Sequence, residues 1–232
     1  MPIDPEDEVR INAALDYWVR SKDEQLEAAH LAGKAQQGNR AAVTGGKHLR
    51  GINQLIVDEL ANAGLDDLTL GFDRGAVLPG YFRPAKAWDL LALRDGKPVL
   101  AVEYKSMKGS EGKNLNNRAD EVFGIAEDLR EAQRHGLIPQ GLVLAYVFLM
   151  EMTPEVTRPV GASVNAGQID PIFEGASYLD RMAIMCERIR EQGLYDVTWA
   201  IGVETNPTRL YEPRESCGWS EFKAGLWELL GA

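Results

Sequence analysis

Two carboxylates and an ammonium, Asp89, Glu103 and Lys105, bracket the segment WDLLALRDGKPVLAVEYK that runs from Trp88 to Lys105. Asp95-Gly96 is a tight-turn signal because both residue types tolerate positive φ, so the runs on either side should fold back as antiparallel strands. Counting outward from a loop of two to four residues sets Asp89 opposite position 102, 103 or 104. Glu103 and Lys105 lie two apart on one strand and therefore point to the same face. Paired carboxylates at the edge of an apolar core are costly unless protonated or neutralised by a cation. Mg2+ is a hard ion that takes one or two carboxylates plus water and phosphate oxygens. The backbone carbonyl of Tyr104 is a further candidate ligand. Lys105, near the same ion, would orient or deprotonate a water whose pKa the metal lowers, which is the chemistry of metal-assisted phosphoester hydrolysis. The competing reading is a surface hairpin whose charges face water. Against it, Ala-Val-Glu-Tyr-Lys continues a strand apolar enough to be central, where charges are expensive.

The rest of the chain must position those three groups. Apolar residues at helical spacing, with acids in the first turn, predict an opening helix from about Pro5 to Ala32. Gly38 to Gly46 is a break, and Leu49, Ile52, Leu55, Ile56 and Leu60 predict a second helix stopped by Gly64. Thr69 to Phe82 suits a strand or two. A helical pattern through Val122, Ile125, Ala126, Leu129 and Ala132 ends at Gly136, and GLVLAYVFL from Gly141 reads as a strand buried on both faces. Between Glu151 and Phe173 periodicity disappears, and a loop of that length is usually functional or mobile. Tyr178 to Arg190 predicts a helix, Tyr195 to Val203 a strand, and Ser220 to Leu230 a closing helix with Ser220 as its N-cap. The simplest architecture is a single α/β domain over residues 1–232, with a mixed central β-sheet flanked by helices on both sides. It divides into N-terminal helices at about 5–64, a sheet core at about 69–203 and a C-terminal helix at about 220–230.

Composition excludes several classes. No run of about twenty apolar residues is present, so no membrane span is expected. The acidic start MPIDPEDEVR is unlike a secretory signal, which makes the cytoplasm the expected compartment. Cys186 and Cys217 sit in unrelated contexts and suit reduced thiols. A net charge of −10 argues against nucleic acid, yet Arg74 to Arg118 holds nine basic residues against four acidic ones. That excess is either a DNA-facing surface or merely a solvated basic face. Gly45-Gly46-Lys47 is not a phosphate-binding loop, because Ala41 and His48 stand where the leading glycine and the hydroxyl belong. His30, His48 and His135 lack ligand spacing, although His48, beside Lys47 and Arg50 at a helix start, could touch phosphate.

At the three charged residues the sequence resembles the PD-(D/E)XK nuclease superfamily, with Asp89 as the first acid and Glu103-Tyr104-Lys105 as the E-x-K element. RAAVTGGKHLRGINQLI, LPGYFRPAKAWDLLAL, AVEYKSM and NNRADEVFGIAEDL together resemble the XhoI family of type II restriction endonucleases. The Pro-Asp dipeptide of the superfamily is Trp88-Asp89 here. The resemblance implies a restriction-endonuclease-like core, Asp89 and Glu103 as Mg2+ ligands, and Lys105 as the residue that acts on water. It further implies Glu59 as a supporting acid, and Asn116, Asn117 and Arg118 near the scissile strand. It also implies double-stranded DNA bearing CTCGAG as substrate, a homodimer, and a cognate DNA methyltransferase. Arg158, Asn165 and Gln168 in the long loop are candidates for base readout, with Arg118 and Lys113 as competitors. The rival readings are a structure-specific or repair nuclease and a non-cleaving DNA-binding or interaction module of the same fold.

Overall fold

The computed structural model describes residues 3–31, 47–109 and 111–231, and the side chains of 25–31, 47 and 111–113 fall outside that description. The expected break at Gly38 to Gly46 also lies outside it. Helices α1 (Pro5–Leu31) and α2 (Arg50–Asn62) precede β1 (Thr69–Phe72), β2 (Val77–Leu78), β3 (Lys86–Ala87), β4 (Leu90–Arg94) and β5 (Lys97–Met107). Then follow α3 (Glu111–Arg134), β6 (Val143–Glu151), α4 (Pro154–Thr157), α5 (Tyr178–Glu191), β7 (Val197–Thr205), β8 (Thr208–Tyr211) and α6 (Trp219–Leu230). Six strands form one sheet in the order β1-β4-β5-β6-β7-β8, while β2 and β3 make a separate ribbon. The β5, β6 and β7 strands run parallel and the other neighbours antiparallel, so the sheet is mixed as expected.

Alternation along the strands sorts side chains into two layers. Leu100, Val102 and Tyr104 of β5 pack with Leu15 and Trp18 of α1, Ile52 and Ile56 of α2, and Phe222 and Leu226 of α6. Leu91 and Ala101 join the opposite layer with Val122, Ala126 and Leu129 of α3 and Leu179, Met182 and Ala183 of α5. Strand β6 feeds both, through Val143, Ala145 and Val147 on one side and Leu144, Tyr146 and Phe148 on the other. That is why its sequence is apolar without alternation.

The β4–β5 hairpin closes through Asp95 and Gly96 at φ 51° and 73°, with Arg94 opposite Lys97. Both central residues at positive φ make the two-residue turn whose twist matches that of the strands. The register is not uniform. Leu93 faces Pro98 but Ala92 faces Leu100, so Val99 is an extra residue on β5, a β-bulge. Pro98 has no N–H to give the ladder, and prolines inside strands concentrate at such irregularities. Without the bulge Leu90 would face Ala101; with it Leu90 faces Val102, and Asp89, in the bend just before, reaches the Tyr104 N–H beside Glu103. That one extra residue therefore decides which stretch of β5 Asp89 meets.

Two local expectations are corrected. Ser220 is not the cap of the closing helix: Gly218 is, and the Glu212 carboxylate accepts the Trp219 N–H at 2.5 Å. A Cβ on Gly218 would lie 2.8 Å from Glu212 Oε2, so the residue that supplies the capping acceptor also requires a glycine. The stretch from Glu151 to Phe173 is not featureless either, since it holds α4, capped by Thr153, and a 3-10 turn at Pro171–Phe173, capped by Asp170.

Deleting Val99 is expected to uncouple Asp89 from Glu103 electrostatically. By carboxyl NMR, Glu103→Gln should lower the Asp89 pKa in the parent and leave it unmoved in the deletion protein. Equal shifts in both would refute the register argument.

Candidate active site

Asp89 lies in the bend before β4 and reaches across to β5, where its Oδ2 accepts the backbone N–H of Tyr104 at 2.7 Å. That N–H faces the strand edge just past the start of β4, so the carboxylate finishes a ladder that would otherwise end in an unpaired donor. Glu103, only 4% exposed, is held at Oε1 by Lys105 and at Oε2 by Lys86, the latter at 2.7 Å. Burial pushes the Asp89 carboxyl up, the Glu103 charge adds to this, and together they raise it from 3.8 to about 6 despite the Tyr104 N–H, Lys105 and Lys86. Burial pushes Glu103 the same way, but its two ammonium partners outweigh it and hold it below the usual range. The two acids are thus electrically unequal: Glu103 has both counter-charges in contact, and Asp89 has a backbone amide.

Among the described residues no group of three or more His, Cys, Asp or Glu is gathered to hold a metal. A pair of mutually repelling carboxylates beside a strand edge nevertheless fits a hard divalent cation that completes its shell with a carbonyl, water and substrate oxygens. In an extended strand the N–H and C=O of a residue project to the same edge, so the Tyr104 carbonyl shares the side on which Asp89 sits.

Lys86 was visible in sequence only as one of nine basic residues between Arg74 and Arg118. The β2–β3 ribbon sets it there, with Lys86 opposite Leu78 and the Trp88 N–H donated to Ala76 O at 2.7 Å. Glu121 of α3 stands 3.9 Å from Lys105 Nζ and takes Arg118 at 2.5 Å, which places Arg118 at the site's margin. On the other layer Tyr104 donates its hydroxyl to Asn53 Oδ1 at 2.9 Å. Arg50, Asn53, Gln54, Phe72, Asp73, Asp89 and Tyr104 line a cleft of about 530 Å3 that opens on Asp89. Arg50, Asn53 and Gln54 fall at i, i+3 and i+4, a spacing that marks one helix face.

The remaining expected residues are not drawn together. Glu59 is 1% exposed and bound by Arg10 at 2.5 Å and Lys223 at 3.0 Å, in a cluster with Asp7 under Trp219, so both oxygens of its carboxylate are held by bases. His48 is buried with Nε2 3.1 Å from Ser106 Oγ, and burial with Lys22 nearby lowers its pKa to about 4. It is neutral and enclosed, which does not suit a phosphate contact. Helix α3 begins at Glu111, so Asn116, Asn117 and Arg118 lie beyond the free N–H groups of its first turn. Asn116 and Asn117 are exposed. Arg158, Asn165 and Gln168 are exposed on the long loop. The side chains of Lys47 and Lys113 lie outside the described residues. Cys186 and Cys217 are both free and buried, and burial raises both thiols, Cys217 to about 11. Among the described residues no helix is long and apolar enough to cross a membrane.

A mixed sheet flanked by helices, with an acid and an E-x-K element meeting on its central hairpin, defines a restriction-endonuclease-like core. The chain belongs to the XhoI family: the family described as Restriction endonuclease XhoI matches residues 28–212. It is 36% identical over 165 residues to the type II restriction enzyme XhoI of Xanthomonas vasicola, a match covering 69% of this chain and 66% of that one. It is 37% identical over 160 residues to the type II restriction enzyme BstVI of Geobacillus stearothermophilus, covering 66% and 71%. The type II restriction enzyme AbrI of Azospirillum brasilense is 35% identical over 147 residues, covering 62% and 65%. No solved structure matches the chain significantly.

The raised Asp89 carboxyl has a consequence for stability. Its folded value lies above 3.8, so the folded form holds the proton more tightly, and the group favours folding fully below about pH 4 and loses that contribution as pH rises through about 6. Asp89→Asn is therefore expected to stabilise the metal-free protein at pH 8, by about 1–2 kcal/mol, and to leave it unchanged at pH 4. Denaturant titrations at the two pH values measure this, and a destabilised variant at pH 8 would contradict it.

Proposed function

We propose that this chain is a type II restriction endonuclease, one catalytic domain that hydrolyses a phosphodiester bond in each strand of a short DNA palindrome, CTCGAG, with Mg2+ as cofactor. The observation that supports the reading is the Tyr104 N–H bond to Asp89, between Glu103 and the Lys105 that binds it, in a chain whose relatives are named type II restriction enzymes. The palindrome follows from the family resemblance. A two-fold site calls for a two-fold reader, so the working unit is a homodimer. The host genome must be shielded at the same sequence, which implies a partner DNA methyltransferase in the same compartment, the cytoplasm.

In this mechanism Asp89, Glu103 and the Tyr104 carbonyl would hold the cation. When bound, Mg2+ supplies neutralising charge and a water of lowered pKa. The Tyr104 N–H fixes Asp89 toward the strand edge, and the two lysines keep Glu103 ionised at neutral pH. Lys105, anchored on Glu103, orients the attacking water in line with the phosphorus and offsets the negative charge that collects there as the P–O bond breaks. Arg118 at the margin, and Arg50 and Gln54 in the cleft beside Asp89, are suited to the phosphates that flank the broken bond. Arg158, Asn165, Gln168 and Lys113 remain the candidates for reading base edges.

A plasmid bearing one CTCGAG site should be linearised in Mg2+ and left intact in EDTA. Lys105→Ala is expected to slow single-turnover cleavage about 1,000-fold. A smear would indicate a structure-specific nuclease, and an intact plasmid bound by the protein would indicate a non-cleaving module. A Lys105→Ala rate equal to the parent's would remove that lysine from the mechanism.

A further inference from the structure

Lys86 is more tightly enclosed than the expected catalytic lysine, with 12% of its side chain exposed against 17% for Lys105. Its Nζ donates to Glu103 Oε2 at 2.7 Å and to the Ala87 carbonyl at 3.0 Å, and it stands 4.3 Å over the Trp88 ring. Burying a lysine is costly, and the need to neutralise Glu103 does not account for it, because Lys105 already holds the other oxygen. Charge counting does. Asp89, Glu103, Lys86 and Lys105 sum to zero when all are ionised. A divalent cation adds two positive charges, the scissile diester takes away one, and the hydroxide it receives takes away the other. The transition state is thus balanced only when both lysines are present.

We propose that Lys86 is an exchangeable counter-ion: its ammonium holds Glu103 Oε2 until a divalent cation claims that oxygen, and then turns to a non-bridging oxygen of the scissile phosphate. The step is an exchange of contacts, with no bond made or broken at Lys86. Trp88 and the Ala87 carbonyl give the ammonium a place to pivot, since neither requires Glu103. The proposal rests on the nuclease reading of the site.

The test uses Lys86→Met, which keeps the length of the side chain and its packing on Trp88 but removes the charge. Calorimetry with Ca2+ alone, in the absence of DNA, should show affinity about tenfold tighter than the parent's, because the tethered competitor is gone. Single-turnover cleavage in Mg2+ should fall about 100-fold. Ca2+ titration of the parent should also change tryptophan fluorescence, and Trp88→Phe should abolish that change. A folded Lys86→Met protein that binds Ca2+ no tighter than the parent, or cleaves at the parent's rate, overturns the proposal. Should circular dichroism show that variant unfolded, the fluorescence comparison decides, and a Ca2+ response that persists in Trp88→Phe overturns it. A parent that neither binds Ca2+ nor cleaves would instead sink the nuclease reading itself.

Discussion

The site depends on one extra residue in a strand. Val99 adds a bulge to β5, and every β4 residue from Ala92 back is thereby opposed to a different partner. A strand has period two, so a shift of one exchanges the faces. Asp89, in the bend before β4, then meets the Tyr104 N–H between Glu103 and Lys105, at the end of the cleft beside α2. The Asp95-Gly96 turn and the Tyr104 N–H bond to Asp89 fasten the two ends of that register. Lys86 and Glu121 reach the site through Glu103 and Lys105, which face α3.

Two ionic clusters in this molecule contain the same number of acids and bases and arrange them differently. Near the chain's ends, Asp7 and Glu59 are each bridged by both Arg10 and Lys223, an alternating ring in which no carboxylate is left over. In the candidate site the same count of two acids and two bases is arranged unevenly: Glu103 takes both lysines, and Asp89 is left with an amide. A ring of alternating charges satisfies itself and holds α1, α2 and α6 together. An uneven one holds a carboxylate in partial burial at an electrostatic cost, which a cation would relieve. This difference sets Glu59, whose two oxygens are each held by a base, apart from Asp89.

The helices serve the same division. Apolar faces of α1, α2 and α6 close one side of the sheet around Tyr104, whose hydroxyl is pinned by Asn53, and this immobilises the residue between Glu103 and Lys105. On the other side α3 presents Arg118 and Glu121 along the open margin, and α5 completes the core behind. The long segment after β6 is anchored by capped turns and by Arg188 to Asp170, leaving Arg158, Asn165 and Gln168 outward.

Local pattern was enough for the hairpin, the doubly buried β6, the helices around the sheet, and the nearness of Asp89 to Glu103. Each of these follows from interactions between residues near in the chain: periodicity, turn preference and the two-residue repeat of a strand. What it left open required distant contacts. The opposing position of Asp89 was narrowed to 102, 103 or 104, and only Val99 chose among them, since a bulge is a property of two strands. Lys86 was one basic residue among nine until the β2–β3 ribbon folded it over Trp88. Glu59 and His48 looked available for ligands because their helical neighbours carry no sign of burial by α1, α6 or Ser106. Ser220 lost its cap to Glu212 for the same reason. Local pattern decides which groups a strand or helix offers; only tertiary structure decides which of them is already taken, because a charge or polar group is satisfied by whatever the whole fold brings within hydrogen-bonding distance.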